Sequence, residues 1–268
     1  MPYLKLENNI KLYYEALGEG TPVIFVHGVW MSGKFFQKQL PYFRQNYRAI
    51  ALDLRCHGKS SHVHSGHTIT GYAGDLHKFI QTFNLKDIVL VGWSMGAFVV
   101  WEYMKQFGQE NIKGTVIIDE LASDFKWPDF PIGAFNMETL IHFMKEIQTN
   151  RDSFVKEFIP LMFKNGLADE EMDWMFAEVS KLPESVASAI LFDQSVVDYR
   201  SLLPTIKIPT LLCFGREEKL IPVAAGKHLQ ENIPNSKLVV FENSCHCPFL
   251  EEADLFNKEV DAFIKSLN

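Results

Sequence analysis

Chemistry in this chain begins at a serine framed by glycines, Gly92-Trp93-Ser94-Met95-Gly96. The pattern G-x-S-x-G is cheap on its own. Here an apolar, β-branched run at residues 88–91 precedes it, and a helical pattern at residues 97–107 follows it. A strand, a sharp turn and a helix is the setting in which such a serine stands at a sheet edge as a nucleophile. Gly92 and Gly96 leave room where neighbouring backbone would clash with a side chain. A serine hydroxyl is a weak nucleophile at neutral pH. It needs a base within hydrogen-bond reach, and the base needs an orienting group. In a sheet of this kind the chain order is serine, acid, histidine, so both partners belong at the ends of later strands.

The base is expected at His246, in "NSCHCPFLEE" at residues 243–252. It follows the last strand-like run, 237–241, and is the only histidine beyond His228. His228 sits inside a helical pattern and reads as a surface residue. Cys245 and Cys247 flank His246, which raises the question of a metal or redox site. No second ligand pair lies elsewhere, so zinc is poorly supported. A disulfide between cysteines two positions apart would be strained. His62, His64 and His67 also cluster, without a cysteine or carboxylate at a telling spacing, and read as solvated loop residues.

These groups need a sheet to hold them. "PVIFVHG", "YRAIALDLR", "DIVLVGWS", "GTVIIDE", "PTLLCFG" and "KLVVFEN" are short apolar runs of the kind buried on both faces of a sheet. Helical spacing at residues 69–83, 95–107, 222–232 and 249–266 separates most of them. That alternation predicts a mostly parallel sheet covered by helices on both faces. "YLKLE" and "IKLYYEAL" precede it as a hairpin. Residues 123–203 break the pattern with amphipathic stretches punctuated by prolines, and are expected to be a helical insertion between two strands. The expected division is a core of residues 1–122 and 204–268 and a cap of residues 123–203.

The 268 residues carry a net charge of −7, with no basic footprint for nucleic acid. No apolar run approaches the roughly 18 residues of a membrane span. "MPYLKLENNIKLYY" lacks the basic and apolar regions of a secretory signal. Four scattered cysteines, Cys56, Cys213, Cys245 and Cys247, do not make a disulfide framework. The expectation is a cytoplasmic protein with free thiols. No dinucleotide or phosphate loop is present, so neither an organic cofactor nor a metal is expected.

Taken together, the motifs resemble those of the α/β-hydrolase superfamily, and of its single-domain esterases with a helical cap. "VIFVHGVW" is similar to the oxyanion loop, "VGWSMGAF" to the nucleophile elbow, and "SCHCPFLEE" to the histidine loop. "ALDLRCHGKS" is similar to D-x-R-G-H-G-x-S, with Cys56 in place of a glycine. "CFGREEKLIP" is similar to the acid loop G-x-x-D-x-x-V-P, with Glu218 where aspartate is usual. Glutamate serves in that role too. The resemblance implies the α/β-hydrolase fold, with Ser94, Glu218 and His246 as the catalytic residues. Asp119, at the end of "VIIDE", is the alternative acid, and Glu217 a poorer register. Cys245 also replaces a glycine, which questions the local turn. One oxyanion donor is expected at the N–H of Met95, the residue after the nucleophile. The resemblance puts the other at Val29, with Trp30 as the alternative, and leaves His27 bracing the loop.

The insertion is rich in Phe, Met and Trp. Trp30, Trp93, Phe125, Trp127, Phe143 and Phe158 are expected to line an apolar pocket suited to an acyl or alkyl group. "SDFKWPDF" and "CPFLEEADLF" resemble the pimeloyl carrier-protein methyl ester esterase of biotin synthesis. The expected function is hydrolysis of a small-molecule carboxylic ester through an acyl-enzyme. Lactonase, thioesterase, perhydrolase and carbon–carbon bond hydrolase activities use the same constellation. A non-catalytic ligand receptor on the same fold is the reading from another class. Serine at the elbow argues against relatives that use aspartate there. The sequence leaves the oligomeric state open.

Overall fold

A computed structural model describes residues 2–267. The chain opens with an antiparallel hairpin, β1 (Tyr3–Lys5) and β2 (Lys11–Leu17), joined through a 3-10 turn at Glu7–Asn9. β3 (Pro22–Val26), α1 (Gln39–Phe43), β4 (Arg48–Leu52), α2 (Ile69–Thr82), β5 (Ile88–Trp93), α3 (Met95–Phe107) and β6 (Ile112–Ile118) follow. Next come four consecutive helices: α4 (Met137–Thr149), α5 (Arg151–Leu161), α6 (Asp169–Val179) and α7 (Glu184–Val196). The chain then returns to the sheet with β7 (Thr210–Gly215), α8 (Val223–Asn232), β8 (Ser236–Phe241), α9 (Pro248–Glu251) and α10 (Ala253–Ser266).

The eight strands form one sheet in the order β1-β2-β4-β3-β5-β6-β7-β8. β2 pairs antiparallel with β4, and every pairing from β4 to β8 is parallel. Each residue of β3, β5 and β7 is buried, which is why these strands read as unbroken apolar runs. β8, at the sheet edge, is only partly covered and carries the weakest run. Parallel strands all end on one side, so the loops after β3, β5, β6, β7 and β8 converge there, where open α/β sheets place their ligands.

One expected helix is broken. Residues 249–266 split at Glu252, which leaves helical geometry with φ −117° and ψ 48°. The break turns two carboxylates back onto the histidine loop. Glu252 Oε2 accepts from Asn243 N at 2.9 Å and Ser244 Oγ at 2.7 Å, and Glu251 Oε2 accepts from Cys245 N at 2.7 Å. Charge-assisted bonds of this kind are shorter and stronger than neutral ones. Pro160 lies inside α5 instead of at its end, one residue before the helix stops.

The glycine rule at the serine turn is borne out by close approaches. A Cβ on Gly96 would sit 2.2 Å from Val26 O, and one on Gly92 2.5 Å from Gly96 O. Gly74, in α2, would meet nothing within 4 Å. Gly96→Ala is therefore expected to destabilise the protein by about 1–3 kcal/mol through backbone overpacking. Gly74→Ala should stabilise it by about 0.5–1 kcal/mol through helix propensity. Denaturant unfolding of the two variants checks the pair, and equal effects would sink the steric account.

Candidate active site

Ser94 sits between β5 and α3 with φ +50° and ψ −126°, a conformation that L-residues avoid. Its N–H donates to Ile118 O at 2.9 Å and its carbonyl accepts from Ala97 N at 2.7 Å, so both neighbours hold the strained turn. Met95 is the first residue of α3. The N–H groups of a first helical turn have no intrahelical acceptor. The loop after β3 is braced by His27. Its Nε2 accepts from Leu54 N at 3.1 Å, so the ring proton is on Nδ1, which donates to Gly28 O at 2.8 Å. Burial pushes the His27 pKa down to about 4, which keeps the brace neutral.

His246 arrives from the other side of the sheet. Its backbone N–H donates to Met162 O at 3.0 Å, and the Cys245 thiol donates to Leu161 O at 3.3 Å. Both acceptors are carbonyls at the C-terminal end of α5, which have no intrahelical donor. Trp93 Nε1 donates to His246 O at 3.0 Å from below. Cys245 does not adopt a positive φ, so its replacement of glycine creates no strain there. Cys56 does, with φ +67°, and its Sγ compensates by accepting from Val63 N at 3.2 Å.

Both proposed acids lie at the same corner. His246 Nδ1 is 3.4 Å from Glu218 Oε2, with both side chains buried. That is the outer edge of a hydrogen bond, as is common before a ligand tightens such a contact. Glu218 Oε1 is held by Leu220 N at 2.6 Å and Ile221 N at 3.0 Å. Asp119 Oδ2 accepts from Gly215 N at 2.9 Å and ties β6 to β7. Asp119 Oδ1, Glu218 Oε2 and His246 Nδ1 have no partner of good geometry. Two protons satisfy all three atoms. One belongs on Asp119, because burial and then the Glu218 charge push its carboxyl well above the ordinary range. The other belongs on His246 Nδ1, leaving Glu218 as the acceptor. Among the described residues, Asp119, Glu218 and His246 also form the group whose ligating atoms, within 4.8 Å of one another, are spaced to share a cation. The two protons meet the same need without one.

Ser94 and His246 line one cavity of about 220 Å³. Val29, Trp30, Phe143 and Phe158 from the sequence-based set are on its wall. Trp30 reaches up from the loop after β3, where its Nε1 donates to Ala187 O of α7 at 3.0 Å. Trp93, Phe125 and Trp127 are not on this wall. Trp93 is buried, with its ring against those of Phe35, Phe249 and His246. Phe125 and Trp127 pack on each other, with the Trp127 indole bonded to Ser123 Oγ at 2.9 Å. Phe135, one of the aromatic residues of the insertion, is on the wall as well; sequence reasoning missed Leu191, Leu220 and Ile221, and with them the polar residues Glu120, Asp124, Thr139, Gln194 and Lys219. The one signal for the polar group was "DELASD", three acids directly after an apolar strand.

Comparison with known proteins agrees with this architecture. Residues 23–259 match the alpha/beta hydrolase family. The AB hydrolase superfamily protein YisY of Bacillus subtilis is 28% identical over 269 residues, spanning 98% of this chain and 99% of that protein. The pimeloyl-[acyl-carrier protein] methyl ester esterase of Legionella pneumophila (strain Paris) is 27% identical over 267 residues, spanning 96% and 100%. The structure of an esterase from Exiguobacterium antarcticum superposes with a TM-score of 0.94 at 25% identity, covering 98% of each chain. With the sheet order, the serine turn and the family match all in agreement, this chain belongs to the α/β-hydrolase family.

Proposed function

We propose that this hydrolase cleaves carboxylic esters with an apolar acyl or alkyl part, through an acyl-enzyme on Ser94. The observation that carries the reading is the shared cavity. Ser94 and His246 open onto one pocket walled by Trp30, Phe143 and Phe158, and the far nitrogen of His246 lies 3.4 Å from a buried carboxylate. Esterases among the relatives and structural neighbours support the same class.

In this mechanism Ser94 Oγ attacks the ester carbonyl carbon while its proton passes to His246 Nε2. Glu218 accepts from Nδ1–H, holds that tautomer and stabilises the imidazolium. The N–H groups of Met95 and Val29 hold the oxyanion. The carbon–oxygen bond to the alcohol breaks, and the alcohol leaves with the proton from Nε2. Water then attacks the acyl-enzyme by the same route, releasing the acid and restoring the Ser94 hydroxyl. Residues 123–203 act as a cap that excludes water from the pocket. Four buried free thiols suit a reducing compartment, so a cytoplasmic location belongs to the proposal.

Wild-type protein is expected to turn over p-nitrophenyl butyrate, and Ser94→Ala to lose about 10⁴-fold or more in kcat. Absence of turnover by folded wild type would remove the esterase assignment. The acid is tested separately. Glu218→Gln should lose about 10³- to 10⁴-fold in kcat, because the amide can present the wrong group to Nδ1–H. Asp119→Asn keeps a carbonyl acceptor for Gly215 N–H and should stay within about tenfold of wild type. Steady-state kinetics with the reverse ranking would move the acid to Asp119.

A further inference from the structure

Besides its aromatic wall, the Ser94 cavity carries a polar group for which the mechanism above has no use. Glu120 and Asp124 line it beside Gln194 of α7. All three side chains are at least 95% buried. Glu120 and Asp124 lie side by side: burial and then the Asp124 charge raise the Glu120 carboxyl, while burial raises that of Asp124 against the opposing bonds from Glu120 and Gln194. Asp124 is pushed up to about 6 and Glu120 well above the ordinary range. Glu120 Oε1 is already occupied by Leu121 N at 2.7 Å. Gln194 Nε2 donates to Asp124 Oδ2 at 2.8 Å. That bond fixes the amide orientation, since the flipped form would set carbonyl oxygen against carboxylate.

The consequence is an excess of acceptors. Gln194 Oε1 is buried and meets no donor among the described residues. Asp124 Oδ2 receives one amide N–H, while its Oδ1 is buried without a partner among the described residues, against about four lone-pair sites on a carboxylate. A buried acceptor without a donor costs about 1–3 kcal/mol, so a bound group able to donate is favoured over an apolar one of the same size.

We propose that Asp124 and Gln194 form an acceptor subsite that binds a hydroxyl or protonated amine donated by the substrate, while the aromatic wall takes its hydrocarbon. This rests on the esterase reading for its chemistry but not for binding. The favoured substrates are short esters that carry a donor a few bonds from the carbonyl, on the acyl or the alcohol side.

Two matched series test it. On the acyl side, p-nitrophenyl butyrate is compared with its 3-hydroxy and 3-amino derivatives. On the alcohol side, propyl butyrate is compared with 2-hydroxyethyl butyrate. In at least one series the donor-bearing ester is expected to have a kcat/KM about tenfold above its apolar partner. Gln194→Met and Asp124→Asn should bring that ratio towards one. Binding of methyl butyrate and methyl 3-hydroxybutyrate, and of the propyl and 2-hydroxyethyl esters, to Ser94→Ala reads the same preference without turnover. If wild type hydrolyses the plain esters and no donor-bearing ester is preferred in either series, the subsite is overturned. A preference that survives in both variants also overturns it. If no ester is turned over but Ser94→Ala still prefers the donor-bearing ligands, the subsite stands and the esterase reading falls.

Discussion

The geometry of the cavity depends on how closely α3 can follow β5. A strand running straight into a helix leaves one residue to reverse direction, and that residue is Ser94, at φ +50°. The reversal is possible because Gly96 passes within side-chain distance of Val26 O and Gly92 within the same distance of Gly96 O. Removing two Cβ atoms lets three backbone segments, from β3, β5 and α3, meet at one point. Strain at one residue is held by the packing of many.

The second constraint is the treatment of buried acids. Five carboxyls gather at the C-terminal edge of the sheet: Asp119, Glu120, Asp124, Glu218 and Glu251. In so little water they cannot all be anions. The structure separates them by giving each a different set of donors. Glu218 takes two backbone N–H groups on one oxygen and faces His246 with the other. Glu251 takes the N–H of Lys164 and of Cys245. Asp119 takes a single N–H, and burial and then the Glu218 charge push its carboxyl up. Burial and then the Asp124 charge push Glu120 up as well. One corner thus holds an acceptor for an imidazole, and another a buried group of acceptors among the residues that line the pocket.

The histidine loop links the sheet to the inserted helices. Its backbone and the Cys245 thiol end on carbonyls of α5, while Glu251 and Glu252, freed by the break between α9 and α10, hold it from the opposite side. The cysteines that suggest a metal site in the sequence are buried packing and hydrogen-bonding residues around His246. Trp30 makes a similar link from the loop after β3 to α7. The wall of the pocket and the groups that face it therefore share their supports.

Sequence alone determined the strands, the serine turn and the histidine loop, because each is a local pattern. Apolar runs mark strands buried on both faces, glycines mark backbone contacts, and a strand, turn and helix in succession mark the serine. The family resemblance added Glu218 and Asp119 but could not rank them physically, since their difference lies in protonation, which depends on how many N–H groups reach each carboxyl. The pocket was legible only in part. Trp30, Phe143 and Phe158 face it, whereas Trp93, Phe125 and Trp127 do not. Aromatic content says that a side chain will be buried, but which surface buries it depends on how helices from distant parts of the chain pack. Gln194 and Asp124 are 70 positions apart and meet only because α7 folds back over the end of β6. Contacts of that range have no local signature, so tertiary structure alone decided them.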